Sequence, residues 1–137
     1  MGSISKLWRY PVKSMLGEAC ERLELDARGA RGDRLFAVLD AEGRLGSGKS
    51  SGRLRYIEGL FTFRAAQDHI AFPDGARMTI TDPGIHDALS RALGLPVRLA
   101  RECRSPVELV VGCFAGRRSA RGDQFPYHRF IQLVPEY

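Results

Sequence analysis

The chain has 137 residues, of which 44% are hydrophobic and 27% are charged, and it carries a formal net charge of +5. This apolar content is enough to bury one core, and a single soluble domain is the default for the length. No apolar run reaches the roughly 18 residues of a membrane span, and residues 1–6 lack the core of a signal peptide, so we expect a cytoplasmic protein without a membrane partner.

The first predicted element is a strand over Ile4–Val12, where two aromatic residues in an alternating pattern favour a strand over a helix. Pro11 cannot donate a backbone hydrogen bond, so this strand either lies at a sheet edge or ends there. Lys13 and Ser14 are therefore expected where the strand gives way to a loop. Their ammonium and hydroxyl groups are suited to bind a phosphate or another oxyanion.

A hairpin is predicted at residues 41–44, where Ala-Glu-Gly-Arg follows the apolar strand Leu35–Leu39. Its second arm is expected to end at Gly48 and Lys49. Lys49 is then a further candidate for contact with the anion that Lys13 would bind.

Residues 43–50, GRLGSGKS, also match the phosphate-binding P-loop pattern GxxxxGK[ST]. A true P-loop starts directly from a buried parallel strand and opens a helix. Here three residues separate the motif from the preceding strand, and Gly52 interrupts the segment that follows. Nucleotide binding through Lys49 is therefore the less favoured alternative to the hairpin.

The rest of the chain has the pattern of short strands with one helix. Asp82 can cap a helix whose first turn contains Pro83, and Gly94 followed by Pro96 would end it. Many short strands separated by turn signals favour a barrel or closed sheet. We predict a mainly β fold, a partly closed β-barrel with one short α-helix near residues 84–93. The remaining predicted strands are Ala19–Leu25, Leu54–Phe63, His69–Phe72, Arg77–Thr81, Val97–Cys103 and Val107–Cys113.

Several short motifs occur in a characteristic order: YPVKS at residues 10–14, Gly17, Asp33-Arg34 before an apolar strand, Pro-Asp-Gly at 73–75 and LSRALGLPVRL at 89–99. This order resembles the N-terminal β-barrel domain of MOSC proteins, a family named after the C-terminal domain of molybdenum cofactor sulfurase. The resemblance implies a barrel domain over residues 1–103. Residues 104–137 would form a basic C-terminal extension that resembles the start of a MOSC domain.

The resemblance also implies that Lys13, Ser14 and Arg34 contact the pterin and the phosphate of molybdenum cofactor. The residue types suit this role, since arginine offers a planar fork, lysine a point charge and serine a neutral donor. For Arg34, a structural ion pair with Asp33 is an alternative of equal weight. Lys49 joins the expected cofactor-binding residues because of its place in the hairpin.

Complete members of the family are molybdenum-cofactor oxidoreductases or sulfur-transfer proteins, in which a PCxRC-like cysteine of a second domain ligates the metal. Cys20, Cys103 and Cys113 do not lie in such a motif, so we expect structural thiols and no catalytic residue. The three histidines are far apart in sequence, so we also expect no metal site. The chain is then a free-standing or truncated first half that positions the cofactor for a catalytic MOSC domain or an oxidoreductase partner, and is not an enzyme on its own.

The excess of positive charge lies in residues 91–129, where arginines outnumber Glu102, Glu108 and Asp123. This region lacks the interleaved aromatic residues of a single-strand binder, so we do not expect a nucleic-acid partner. It supports an alternative function, a non-catalytic scaffold that binds a protein partner through its basic C-terminal region. Arginine also far outnumbers lysine over the whole chain, which indicates a GC-rich bacterial genome.

Overall fold

The computed structural model describes residues 2–101 and the backbone of residues 131–134. This part of the chain is mainly β, with a single α-helix and one turn of 3₁₀-helix. The predicted strand Val107–Cys113 lies outside the described residues. The strands are β1 Ser3–Arg9, β2 Glu18–Cys20, β3 Leu25–Asp26, β4 Gly29–Ala30, β5 Phe36–Asp40, β6 Leu45–Ser47, β7 Leu54–Tyr56, β8 Arg64–Ala65, β9 His69–Ala71, β10 Arg77–Thr79, β11 Val97–Arg101 and β12 Ile131–Val134; the helix α1 is Ile85–Leu93 and the 3₁₀ turn is Leu60–Thr62.

The strands form sheets with the orders β12-β1-β2, β10-β9-β8, β11-β5-β6-β7 and β3-β4. All pairs are antiparallel except β6 with β7. Two isolated bridges, Val12 with Phe36 and Leu16 with Arg64, connect the chain after β1 to the other sheets.

The predicted partly closed barrel is not found, because no sheet closes on itself among the described residues. The reason lies after β1, which ends at Arg9 instead of Val12. Pro11 lacks a backbone donor, and Ser14 has left-handed backbone angles that turn the chain. Only the single bridge at Val12 then joins this segment to β5, where a barrel would need a continuous ladder.

Two other predicted strands are interrupted. The segment Leu54–Phe63 was expected as one strand, but Gly59 has a φ of 85° and leads into the 3₁₀ turn, which buries Leu60. The segment Ala19–Leu25 divides into β2 and β3, and β3 pairs with β4 across a turn that contains Gly29 at a φ of 109°. Within Leu54–Phe63, the positive φ of Gly59 redirects the chain, as glycine does at low steric cost.

The predicted helix is confirmed over Ile85–Leu93, and Gly94 ends it in the left-handed conformation. It begins at Ile85, two residues after Pro83, and Asp82 accepts a hydrogen bond from the amide of Gly84, the residue before the helix, at 2.8 Å. Ile85 and Leu89 are buried and pack into the core. No helix in residues 2–101 is long and apolar enough to cross a membrane.

Candidate anion-binding site

The segments before and within β5 bring the predicted binding residues together. The amide of Arg34 donates to the carbonyl of Tyr10 at 2.7 Å, and the amide of Phe36 donates to Pro11 at 3.0 Å. The amide of Lys13 in turn donates to the carbonyl of Phe36 at 2.8 Å. Residues 10–13 therefore run beside residues 34–36, so Lys13 and Arg34 lie on neighbouring stretches of backbone.

Lys13 and Ser14 occupy a tight turn with buried ends. Val12 is fully buried and Met15 nearly so, and the amide of Met15 donates to the carbonyl of Val12 at 3.3 Å. Lys13 and Ser14 are half-buried between them. Because the flanking residues anchor the turn in the core, the two polar side chains are held at the surface in a defined place.

Ser14 and Arg34 share an unusual backbone conformation. Their φ angles are 63° and 49°, and they are the only non-glycine residues with positive φ in the described part of the chain. Positive φ angles are unfavourable for residues with a Cβ atom, at a cost of roughly 1–3 kcal/mol for each residue. Strain of this kind collects at functional sites, where the surrounding structure enforces it. The two strained residues are both predicted cofactor ligands, and hydrogen bonds join their segments.

The ion pair that the sequence allowed for Arg34 is present. Its Nη1 donates to Oδ2 of Asp33 at 2.7 Å, and its guanidinium lies over the Tyr10 ring, 5.9 Å from the ring centre. The Arg34 side chain remains 42% exposed while Asp33 is only 11% exposed. The pair therefore orients the guanidinium without burying it, so a structural pair and an anion-binding role are compatible.

Lys49 lies at the same end of the β5–β6 hairpin as the start of β5. The strands β5 and β6 pair antiparallel through Leu39 and Leu45, so the chain returns toward Arg34 as it passes Gly48. The aromatic ring of Phe61 packs against Gly48, where a Cβ atom would lie 2.7 Å from the ring. Lys49 is exposed, and its contact with the anion stays a prediction.

The P-loop alternative does not agree with this geometry. The motif at residues 43–50 contains β6 itself, and β6 is the second arm of an antiparallel hairpin. No helix follows it; the next element is β7, which pairs with β6. The backbone amides are thus used by strands and turns and do not form the loop that cradles phosphates.

Asp40 holds this hairpin together, a role that the sequence reasoning missed. Its carboxylate is 1% exposed and accepts hydrogen bonds from the amides of Glu42 and Arg44 and from the guanidiniums of Arg44 and Arg55. Burial alone would raise the pKa of Asp40, but these hydrogen bonds outweigh it and lower the pKa to about 2. In the sequence, an aspartate that precedes a Gly-Arg turn by three residues is the signal that could have identified it.

An open cleft of about 590 Å³ lies between the β1–β2 and β9–β10 strands. Phe36 lines it, but Lys13, Ser14 and Arg34 do not. Arg9 in its wall is paired with Glu18 at 2.7 Å and also donates to Gln67. We place the candidate site at the strained turns and not in this cleft, because the paired Arg9 side chain is only 17% exposed, whereas the paired Arg34 side chain remains accessible to a ligand.

In the described part of the chain, the thiol and the two imidazoles do not gather near the candidate site. Cys20 lies on β2, with its sulfur 3.8 Å from the carbonyl of Glu18, whereas Cys103 and Cys113 lie outside the described residues. His86 accepts a hydrogen bond from the amide of Leu99, and His69 pairs with Asp68. In residues 2–101, no group of three His, Cys, Asp or Glu side chains is arranged to hold a metal ion.

Comparison with known proteins agrees with the family resemblance. Residues 1–106 match the family described as the MOSC N-terminal beta barrel domain. The chain is also 27% identical to the mouse (Mus musculus) protein mitochondrial amidoxime-reducing component 1, over 93% of this chain. That alignment spans only 39% of the length of the mouse protein. No solved structure matches the chain significantly.

Proposed function

Because this chain belongs to the family of the MOSC N-terminal beta barrel domain, we propose that it binds the phosphate-bearing pterin of molybdenum cofactor and positions it for a catalytic MOSC domain. The observation that carries the proposal is the pair of strained residues, Ser14 and Arg34, on hydrogen-bonded segments. Their conformation costs free energy that a purely structural turn would avoid by using glycine.

The chemistry of these residues fits the phosphate and the pterin. Arg34 offers a planar guanidinium whose orientation is fixed by Asp33 and Tyr10, and it suits two oxygens of one phosphate. Lys13 adds a positive charge on the neighbouring segment, and Ser14 adds a neutral hydroxyl donor. Lys49, which follows β6 in the hairpin, supplies a second positive charge.

The four candidate residues, Lys13, Ser14, Arg34 and Lys49, do not fit the metal part of the cofactor. When bound, molybdenum supplies the redox chemistry, and it requires a thiolate to hold it. The described thiol, Cys20, lies on β2 beside Glu18 and not on the segments of the candidate site. We therefore propose that this chain contributes binding and orientation, and that the catalytic thiolate comes from a partner domain.

Titration of the purified protein with a phosphorylated pterin tests the binding role. We expect saturable binding that weakens roughly ten-fold or more in Lys13→Ala and Arg34→Ala, the effect of losing a hydrogen bond to a charged group. The matched controls are Lys6→Ala and Arg77→Ala, which remove exposed charges on β1 and β10. Equal binding in all five proteins, or none in any, would refute the proposal.

The absence of catalysis by this chain alone is tested separately. The protein would be reconstituted with molybdenum cofactor and assayed for reduction of an N-hydroxylated substrate with an artificial electron donor. We expect no turnover. Turnover that disappears in one of Cys20→Ser, Cys103→Ser or Cys113→Ser would identify that cysteine as the metal ligand and contradict the proposal.

A further inference from the structure

Asp33 makes contacts that go beyond a simple ion pair. Its Oδ2 accepts from Nη1 of Arg34 at 2.7 Å, and its Oδ1 accepts from the amide of Tyr10 at 2.8 Å. The side chain is 11% exposed, so water competes little for these hydrogen bonds. Both carboxylate oxygens are used, one for the guanidinium and one for the neighbouring backbone segment.

The residue pair Asp33-Arg34 holds Tyr10 through both of its peptide groups. The amide of Tyr10 donates to the Asp33 carboxylate, and its carbonyl accepts from the amide of Arg34 at 2.7 Å. The amide of Asp33 donates to the carbonyl of Ala30 at 3.1 Å, which fixes the turn before it. The segment that carries Lys13 is thus attached to the residue that orients Arg34.

We propose that Asp33 is a positioning residue, which fixes the Arg34 guanidinium over the Tyr10 ring so that it is oriented before an anion arrives. The inference rests on the proposed function, since it assigns the residue that prepares the same anion-binding group. Preorganised donors bind more tightly because less side-chain freedom is lost on binding. An exposed pair between sequence neighbours would contribute little; here the carboxylate is nearly buried and also bonded to backbone.

The substitution Asp33→Asn separates positioning from simple charge effects. Asparagine retains an oxygen that can accept from the Tyr10 amide, but it removes the charge that holds Arg34. If Asp33 only neutralised Arg34 or competed with the ligand, removing its negative charge would strengthen anion binding. If Asp33 positions Arg34, the same change weakens binding, so the two roles predict opposite signs.

The binding experiment uses inorganic phosphate as the probe, titrated into the protein and followed by NMR. We expect Asp33→Asn to weaken phosphate binding by roughly three- to ten-fold, a size typical of the coupling between residues in direct contact. In an Arg34→Ala background, the same substitution should not weaken phosphate binding further, because the positioning effect of Asp33 acts through Arg34 and only the loss of its negative charge remains. Unchanged or tighter binding in Asp33→Asn, or equal losses in both backgrounds, would overturn the inference.

A second measurement tests positioning without any ligand. Nitrogen-15 exchange NMR reports rotation about the Nε–Cζ bond of Arg34, which we expect to be slow in the native protein and fast in Asp33→Asn. Equal rotation rates in both proteins would overturn the inference even if phosphate binds. If phosphate and the pterin fail to bind the native protein, the proposed function fails, and the rotation rates alone decide whether Asp33 positions Arg34. Thermal unfolding of Asp33→Asn serves as the check that the variant is folded.

Discussion

Replacing Ser14 by glycine and by alanine separates the backbone strain of the candidate site from its chemistry. Ser14 has a φ of 63°, a conformation that costs a residue with a Cβ atom roughly 1–2 kcal/mol. Alanine keeps that cost, whereas glycine removes it. Glycine also loses more conformational entropy on folding, by roughly 0.5–1 kcal/mol. We therefore expect Ser14→Gly to be more stable than Ser14→Ala by about 0.5–1 kcal/mol, although both lack the hydroxyl.

Thermal and urea unfolding measure the difference directly. For a domain of this size, the expected gap corresponds to a midpoint about 2–5 °C higher for Ser14→Gly than for Ser14→Ala. Binding of the phosphorylated pterin should weaken in both variants, because both lose the same donor. Equal stability of the two variants would refute the left-handed conformation of Ser14. If both variants bind the phosphorylated pterin with the affinity of the native protein, the Ser14 hydroxyl has no role in binding.

Three further outcomes are expected. The substitution Asp40→Asn should lower the free energy of unfolding at neutral pH. Because the pKa of Asp40 falls from 3.8 to about 2 on folding, its charge stabilises the fold above pH 3.8. In urea titrations, the difference in unfolding free energy between the native protein and the variant should therefore shrink as the pH falls toward 2. A deficit that stays constant over this range would contradict the assignment. Gly17→Ala should lower the free energy of unfolding by about 2–3 kcal/mol in chemical unfolding, since its Cβ would lie 2.2 Å from the carbonyl oxygen of Arg9. Gly2→Ala, where the added Cβ meets open space, should leave the stability unchanged. Lys49→Ala should reduce pterin affinity by less than Lys13→Ala does. Neither the native protein nor Lys49→Ala should bind ATP or GTP measurably. Tight nucleotide binding by the native protein that Lys49→Ala abolishes would restore the P-loop interpretation.

Local signals in the sequence predicted much of the fold around the site. Alternation and two aromatic residues located β1, although it ends at Arg9 and not at the predicted Val12, and the Gly-Arg turn located the β5–β6 hairpin. The helix followed from Asp82 and Pro83 before its start and from Gly94 and Pro96 after its end. These features depend on a few neighbouring residues, so propensity and pattern are sufficient to predict them.

The backbone strain could not be predicted in this way. Left-handed residues are usually glycine, asparagine or aspartate, so neither Ser14 nor Arg34 carries a signal for that conformation. It is imposed by hydrogen bonds between segments that are separated by more than twenty residues, such as that from Arg34 to Tyr10. The second hydrogen bond of Asp33 has the same origin. The chain after residue 101 also carries the predicted basic extension, residues 104–137, and its domain boundary stays a prediction.

Titration of the native protein, Lys13→Ala and Arg34→Ala with a phosphorylated pterin, beside the surface controls, tests the central claim most directly. The account predicts saturable binding in the native protein and the controls Lys6→Ala and Arg77→Ala, with a loss of roughly ten-fold or more in each site variant. Binding that is absent from the native protein, or equal in all five proteins, would contradict it.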